Sequence, residues 1–389
     1  MQVLLPGEAM LGVMGGGQLG RMFVHAAQAL GYRTAVLDPD PQSPAGLVAH
    51  QHWQADYLDA GALAEMGRQC AAITTEFENV PAQALEQLAL HASVAPAGAC
   101  VAICQDRAAE KAHFEASGVP CAPYAVIASE ANLAAVSDDL LPGILKTARL
   151  GYDGKGQARV KTRAELAAAW SSMKQVRCVL ERMLPLRLEL SVISARNARG
   201  ELVQFPVQQN LHRDGILAVT EVPAPSASLA LQAEAAAAAA RITAAMHYVG
   251  VLCVEFFVLE DGSLVVNEMA PRPHNSGHYT LDACDVSQFD LQVRAMTGLP
   301  LTPPRLHSPT LMLNLLGDLW FADSSSGEQR TPDWAAVLAL PGAHLHLYGK
   351  SEARRGRKMG HLNITARSAE EARATARRAC EILGLPQAW

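Results

Sequence analysis

Two glutamates, Glu255 and Glu268, flank an Asp261-Gly262 dipeptide inside the apolar run LCVEFFVLEDGSLVVNEMA. If Asp-Gly makes a two-residue hairpin turn, Glu260 pairs with Ser263 and Glu255 falls opposite Glu268. Like charges so placed destabilise a sheet unless a divalent cation lies between them, and oxygen-only ligands favour magnesium. Asn267, beside Glu268, adds a neighbouring contact, whereas a one-residue register slip would send one Glu to solvent. Upstream, Gly151-Tyr152-Asp153-Gly154-Lys155-Gly156-Gln157 carries three glycines in six residues between two strands. Such a loop can fold its N–H groups over phosphate oxygens, or be a plain flexible hairpin loop. Lys146 on the preceding strand adds a fixed positive charge. A Lys, a glycine flap and a carboxylate pair make a nucleotide and magnesium kit without a Walker sequence.

A second glycine cluster, Gly15-Gly16-Gly17-Gln18-Leu19-Gly20, fits GxGxxG, with Asp38 at the end of the following strand. It suits a nicotinamide cofactor, a phosphorylated substrate held by the helix N-terminus, or plain turn geometry. The basic run Lys350, Arg354, Arg355, Arg357, Lys358 reads by itself as a solvated face.

The elements that must position these groups change character along the chain. AMLGVMG, YRTAVLDPD and AAITTEF read as strands alternating with helices, a doubly wound start of about 95 residues. Beyond residue 123 come hairpin strands (GILKTA, ARVK, CVLERML, LELSVISAR), helices from 163 to about 175 and over 227–247, and the Glu255 hairpin. The Ala run at 235–240 is explained by helix propensity. The prolines of LTPPRLHSP mark a linker before a last segment of strands and a helix from about 368 to 383. The expected fold is α/β and α+β: an N-terminal domain 1–98, a central domain 99–305 and a C-terminal domain 306–389.

The 389 residues are 50% hydrophobic and 18% charged, with a net charge of −6. Two or three domains with real cores follow, and a non-specific nucleic-acid binder does not. No run of 18 apolar residues suggests a membrane span, and MQVLLPGEAMLG lacks the basic start of a signal peptide, so a cytoplasmic location is expected. Eight scattered cysteines without a CxxC pair read as reduced thiols, not a structural metal site.

This order of elements resembles the ATP-grasp superfamily. GGGQLGRM, EFENV (76–80), QDR (105–107), GYDGKGQ, ELSVI (189–193), NEMAPRPHNSGHYT (267–280) and GRKMGH (356–361) narrow the resemblance to its family of 5-(carboxyamino)imidazole ribonucleotide synthetases. The resemblance spans essentially the whole chain, and APRPHNSGH is its most specific segment. It implies a ligase of purine biosynthesis that uses ATP and bicarbonate to carboxylate the exocyclic amine of 5-aminoimidazole ribonucleotide through carboxyphosphate, giving ADP and phosphate. It further implies magnesium on Glu255 and Glu268, and residues 123–185 as an ATP lid of the central domain. Arg107, Lys146, the flap 151–157, Glu181, Arg182, Met183, Leu184, Glu189, His212, Asn267 and Glu268 would surround ATP, the 181–184 strand reading adenine and Glu189 the ribose.

Arg272, His274 and Asn275 would hold bicarbonate and carboxyphosphate, with Lys350 arriving from the C-terminal domain and Tyr152 and Asp153 closing over the imidazole. Gln18, Leu19, Glu76, Arg357 and Lys358 would bind the ribotide, reassigning the GxGxxG from cofactor to substrate. A homodimer and a link to a downstream mutase are also implied. The chain departs from the family at Arg355, Leu150 and Leu184-Pro185-Leu186, where no polar group of the chemistry is lost. Rival readings are a formate-using glycinamide ribonucleotide transformylase, a biotin carboxylase, a nicotinamide-dependent dehydrogenase and a non-catalytic ligand-binding paralogue.

Overall fold

The computed structural model describes residues 3–149, 151, 156–321 and 329–387. The flap residues Tyr152, Asp153, Gly154 and Lys155 lie outside the described residues. Strands of the described residues form three sheets.

The first sheet is parallel: β1 (Met10–Met14), β2 (Arg33–Leu37), β3 (Gln51–Trp53), β4 (Ala72–Thr75) and β5 (Ser93–Val94), in the order β3-β2-β1-β4-β5. All five residues of β1 are buried, because helices cover both faces, and a continuous apolar run suits that environment. The strand order reverses between β1 and β4. Their carboxyl ends therefore open a crevice, and the glycine turn and Glu76 both emerge there.

The second sheet is antiparallel: β6 (Tyr124–Ile127), β7 (Gly143–Thr147), β8 (Gln157–Val160) and β9 (Cys178–Arg182), ordered β6-β9-β7-β8. Leu145 and Leu180 point into its core with Trp170 and Leu166 of the helix Arg163–Ser172. Side chains alternate along a strand, so Ile144, Lys146 and Glu181 face the other way.

The third sheet contains β10 (Leu186–Arg196), β11 (Leu202–Gln204), β12 (Gln208–Arg213), β13 (Ile216–Val222), β14 (Gly250–Leu259), β15 (Leu264–Ala270), β16 (Thr310–Leu316), β17 (Ala343–Leu347) and β18 (Lys358–Thr365). The order is β15-β14-β10-β12-β13-β16-β18-β17, with β11 paired to β10. Val219 to Val222 pair with Thr310 to Leu313, so hydrogen bonding runs straight across the proline-rich linker between the central and C-terminal segments. Leu190, Val192, Val254, Phe256 and Val258 pack on one face against the helices Leu229–Ala245 and Arg107–Ala116. The alternate residues Glu189, Glu255 and Phe257 line the opposite face. A one-residue slip of β14 would expose Val254, Phe256 and Val258 at about 1.5–3 kcal/mol each, which is why the carboxylate face is reliably specified.

The Glu255 hairpin differs in detail from the two-residue turn expected. Leu259 N–H donates to Ser263 O (2.9 Å) and Gly262 N–H to Leu259 O (2.9 Å), so three residues, Glu260 to Gly262, form the loop. Val258 then pairs with Leu264 and Phe256 with Val266. A bulge at Asn267 restores Glu255 opposite Glu268. The longer loop and the bulge cancel, and the bulge turns two successive residues, Asn267 and Glu268, toward the same cleft.

Candidate active site

The second and third sheets, with the loop that follows β4, enclose a cleft of about 400 Å³. Its lining collects Arg107, Lys146, Gly151, Gln157, Glu181, Arg182, Met183, Leu184, Glu189, His212, Glu255, Asn267, Glu268, Arg272, His274, Asn275 and Lys358 from the residues singled out in the sequence. Glu78, Gln105, Glu110, Phe257 and Met269 join them.

Arg107 opens the helix Arg107–Ala116, whose first N–H groups are held by Asp106 (3.0 Å to Ala108, 3.3 Å to Ala109). Asp106 also pairs with Arg177 at 2.7 Å. So fixed, the Arg107 guanidinium reaches Glu268 Oε2 and the carbonyl of Gly151, both at 3.3 Å. One cation thus joins a candidate metal ligand to the base of the flap.

On the second sheet, Glu181 accepts from Lys146 Nζ at 3.0 Å. Burial raises the Glu181 carboxyl, but the charges of Lys146 and Lys111 outweigh it and hold it below its ordinary value. On the floor, Glu189 pairs with His212 across the edge of β10 and β12. Burial alone would lower His212, yet this bond and the nearby Glu255 and Glu268 charges raise it.

Glu255 Oε1 meets His274 Nε2 at 3.0 Å, and His274 Nδ1 meets Ser276 Oγ at 3.0 Å. Ser191 Oγ donates to Ser276 Oγ (2.9 Å) and accepts from Asn210 Nδ2 (2.8 Å), so buried hydroxyls and amides orient the imidazole. His274 also keeps the Glu255 carboxyl below its ordinary value, although burial pulls the other way. Arg272 is forked onto Glu78 and onto the carbonyl of Pro273 (3.2 Å). Burial opposes ionisation of Glu78, but the Arg272 charge prevails and holds the carboxyl at about 2. Asn275 is buried, and neither its amide nitrogen nor its oxygen has a partner. A buried amide left open costs free energy unless a ligand completes it.

Magnesium fits this donor set: two carboxylates face each other across a ladder, Asn267 adds an oxygen, and every donor is hard. Cys253 also lies near Glu255 and His274. Its thiol is pushed well up by burial, which makes it a poor ligand.

Other expected residues lie outside the cleft lining. The glycine turn is already filled: Glu76 accepts from Gly17 N (2.9 Å) and Gly20 N (3.1 Å), and Asp38 from Gly16 N and the Tyr57 hydroxyl (2.7 Å each). Leu19 is buried in the N-terminal core, so only its backbone could meet a ligand, and Gln18 begins the helix Gln18–Ala29. Lys350 Nζ donates to the carbonyl of Lys358 (2.6 Å) and sits 5.6 Å from the Tyr348 ring centre. Arg357 donates to Glu352 O (2.9 Å), and Gly156, with φ of 70°, accepts from Thr147 N (2.9 Å). The cysteines are free thiols, as expected. No helix among the described residues is long and apolar enough to cross a membrane.

Sequence reading missed Glu78, Glu110 and Lys111. Glu110 accepts from Met269 N (2.8 Å), and burial, then the Glu268 charge, push its carboxyl up to about 8. A signal existed: Arg107, Glu110, Lys111 and Phe114 follow helical spacing on one face, so the two charges occupy core positions.

Three family models match the chain in order: a ribonucleotide synthetase preATP-grasp domain over residues 9–105, an ATP-grasp domain over 112–289 and a phosphoribosylaminoimidazole carboxylase C-terminal domain over 310–375. An N5-carboxyaminoimidazole ribonucleotide synthase of Brucella melitensis is 44% identical over 362 residues, covering 92% of this chain and 96% of its own. The N5-carboxyaminoimidazole synthetase of Staphylococcus aureus complexed with ADP superposes with a TM-score of 0.89 at 36% identity, covering 98% and 99% of the two chains. The Aspergillus clavatus synthase, in complex with ADP and 5-aminoimidazole ribonucleotide, superposes with a TM-score of 0.87 at 31% identity, covering 97% and 99%.

Proposed function

The chain belongs to the N5-carboxyaminoimidazole ribonucleotide synthetase family of ATP-grasp ligases, and from that premise we propose how its residues share the ATP-dependent carboxylation of 5-aminoimidazole ribonucleotide. The observation that carries the assignment of roles is the cleft itself. Cations, a facing carboxylate pair and an open buried amide converge on one space between lid and main sheet.

ATP lies with its adenine against the 181–184 segment, where β9 ends, and its ribose toward Glu189 and His212. Lys146 and Arg107 face its phosphates, and Glu255, Glu268 and Asn267 would hold magnesium. ATP-grasp enzymes as a class use magnesium with ATP, and the ion when bound supplies positive charge to the phosphoryl oxygens. Bicarbonate rests between Arg272, His274 and Asn275. Its oxygen attacks the γ-phosphorus and the bond to the β-phosphate oxygen breaks, leaving ADP and carboxyphosphate. The ribotide amine then attacks the carboxyl carbon, phosphate departs, and the amine loses a proton. Phosphoryl transfer needs positioning and charge neutralisation more than covalent participation, and these residues supply both.

Arg272 suits an anion that changes shape during reaction, because Glu78 and the Pro273 carbonyl hold Nε and one terminal nitrogen of its fork and leave the other terminal nitrogen to the ligand. Tyr152 and Asp153 would close over the imidazole, with Gly154 and Lys155 in the same flap excluding water from the labile intermediate. Lys358, which lines the cleft, binds the ribotide phosphate with Arg357, and Lys350, which donates to the Lys358 carbonyl, serves carboxyphosphate from the C-terminal segment. A homodimer and hand-over of the unstable carbamate to a mutase rest on the family resemblance alone, and sedimentation tests the first.

The deciding experiment is ADP release from magnesium-ATP, with aminoimidazole ribonucleotide and bicarbonate each omitted and restored. Release that needs both co-substrates is the expected outcome. Release stimulated by another amine or acid, and not by the ribotide, would overturn the substrate assignment while leaving the ATP-grasp fold intact.

A further inference from the structure

Lys111 is the most deeply buried charge beside the cleft, with 1% of its side chain exposed. Its Nζ contacts Glu181 Oε1 at 3.4 Å and donates to the backbone carbonyl of Asn267 at 3.3 Å. The other oxygen of Glu181 accepts from Lys146 Nζ at 3.0 Å. One carboxylate therefore serves two ammonium groups, one sealed in the protein and one, 13% exposed, lining the cleft.

Without Lys111, Glu181 and Lys146 would form a closed pair of zero net charge at the place where a nucleotide's phosphates must be neutralised. With Lys111 present, the three groups carry one net positive charge. Lys111 does not line the cleft, so that surplus is offered through Lys146. The same ammonium also pins the bulge carbonyl of Asn267, joining the helix Arg107–Ala116, the lid strand β9 and the carboxylate strand β15 at one atom.

We propose that Lys111 is a positioning residue that takes up the Glu181 charge, freeing the Lys146 charge for nucleotide phosphate, and holds the lid in register with the Asn267 bulge. The inference rests on the cleft being the nucleotide site. Burying a lysine is costly, and the cost is offset only because Glu181 and the Asn267 carbonyl both meet it. A methionine of similar length would pack the same space without charge.

The test compares the full-length wild type with Lys111→Met and with Lys111→Met/Glu181→Gln. ADP affinity is read by calorimetry in magnesium, and KM for ATP and for the ribotide at steady state. Lys111→Met is expected to weaken ADP binding and raise KM for ATP by roughly tenfold, the loss of about one charge-assisted contact, with KM for the ribotide unchanged. The double variant is expected to recover most of the ADP affinity, because the 181–184 segment meets adenine through its backbone, which the substitution leaves in place, and the neutral amide put in place of the Glu181 carboxylate no longer neutralises Lys146. A merely structural lysine would move both Michaelis constants together and would not be rescued by a second substitution.

Undiminished ADP affinity in Lys111→Met, or a double variant as weak as the single one, overturns the inference. Removing both members of a buried pair is the change such pairs tolerate best, so a weak double variant decides the matter even if Lys111→Met does not fold. A wild type that shows no ribotide-dependent ADP release fails the functional reading instead, and that result is separable from these.

Discussion

The glycine turn at 15–20 and the hairpin cleft at 251–275 present the same ingredients in sequence: glycines or a tight turn, carboxylates a fixed distance away, and a nearby strand end. Their structures diverge in who satisfies the polar groups. At the glycine turn, Asp38 and Glu76 of the same chain take the N–H groups of Gly16, Gly17 and Gly20. At the cleft, the Asn275 side-chain amide is left without partners, and Arg107, Lys146 and Arg272 are each held by one carboxylate while still lining open space. A glycine-rich turn is thus an anion site only when the protein has not already supplied the anion.

The comparison breaks most sharply at the facing carboxylates. Glu268→Gln should lower ribotide-dependent ADP release by about a thousandfold or more, the scale expected when charge neutralisation in phosphoryl transfer fails. Activity near wild type would show that the facing carboxylates carry no part of the phosphoryl transfer. Arg272→Lys keeps the charge but loses the planar fork, and a fall of roughly a hundredfold in kcat is expected, with KM for ATP little changed.

At the glycine turn, the same kind of change should act on folding. Glu76→Gln leaves Gly17 and Gly20 with a weaker acceptor and should cost about 1–2 kcal/mol in urea unfolding. KM for ATP should stay put; a selective rise in KM for the ribotide would show that Glu76 also reads the substrate. Acid stability sharpens the contrast through Glu78. Its folded value of about 2 lies below its ordinary 4.5, so the Arg272 pair stabilises fully above pH 4.5 and is lost as pH falls toward 2. Glu78→Gln should remove that slope from the melting temperature measured between those pH values. The smallest effect is expected with NADH. Asp38 already serves Gly16 and Tyr57, so titration should give no fluorescence transfer, and transfer at micromolar NADH would reopen the dehydrogenase reading.

Periodicity makes much of this molecule legible. The alternation in LCVEFFVL places Val254, Phe256 and Val258 on the core side and Glu255 on the other, and the helix Ala369–Leu383 matches the expected span. The Glu255–Glu268 pairing follows in sequence from a turn one residue too short, rescued by a bulge that no local pattern announces. Lys111 and Glu110 escape notice because a charged residue in a helix is ordinarily solvated. Only their spacing with Arg107 and Phe114 hints at a buried face.

Local forces, then, are readable from residue order: which segments form strands or helices, which faces seek a core, and which motifs mark the family. Satisfaction of polar groups is not. Whether the Gly17 N–H meets Glu76 or a ligand depends on residues 59 apart, and Lys111, Glu181 and Asn267 converge from three separate elements. Hydrogen bonds and ion pairs act over about 3 Å, so which donor finds which acceptor is settled only when the chain is folded.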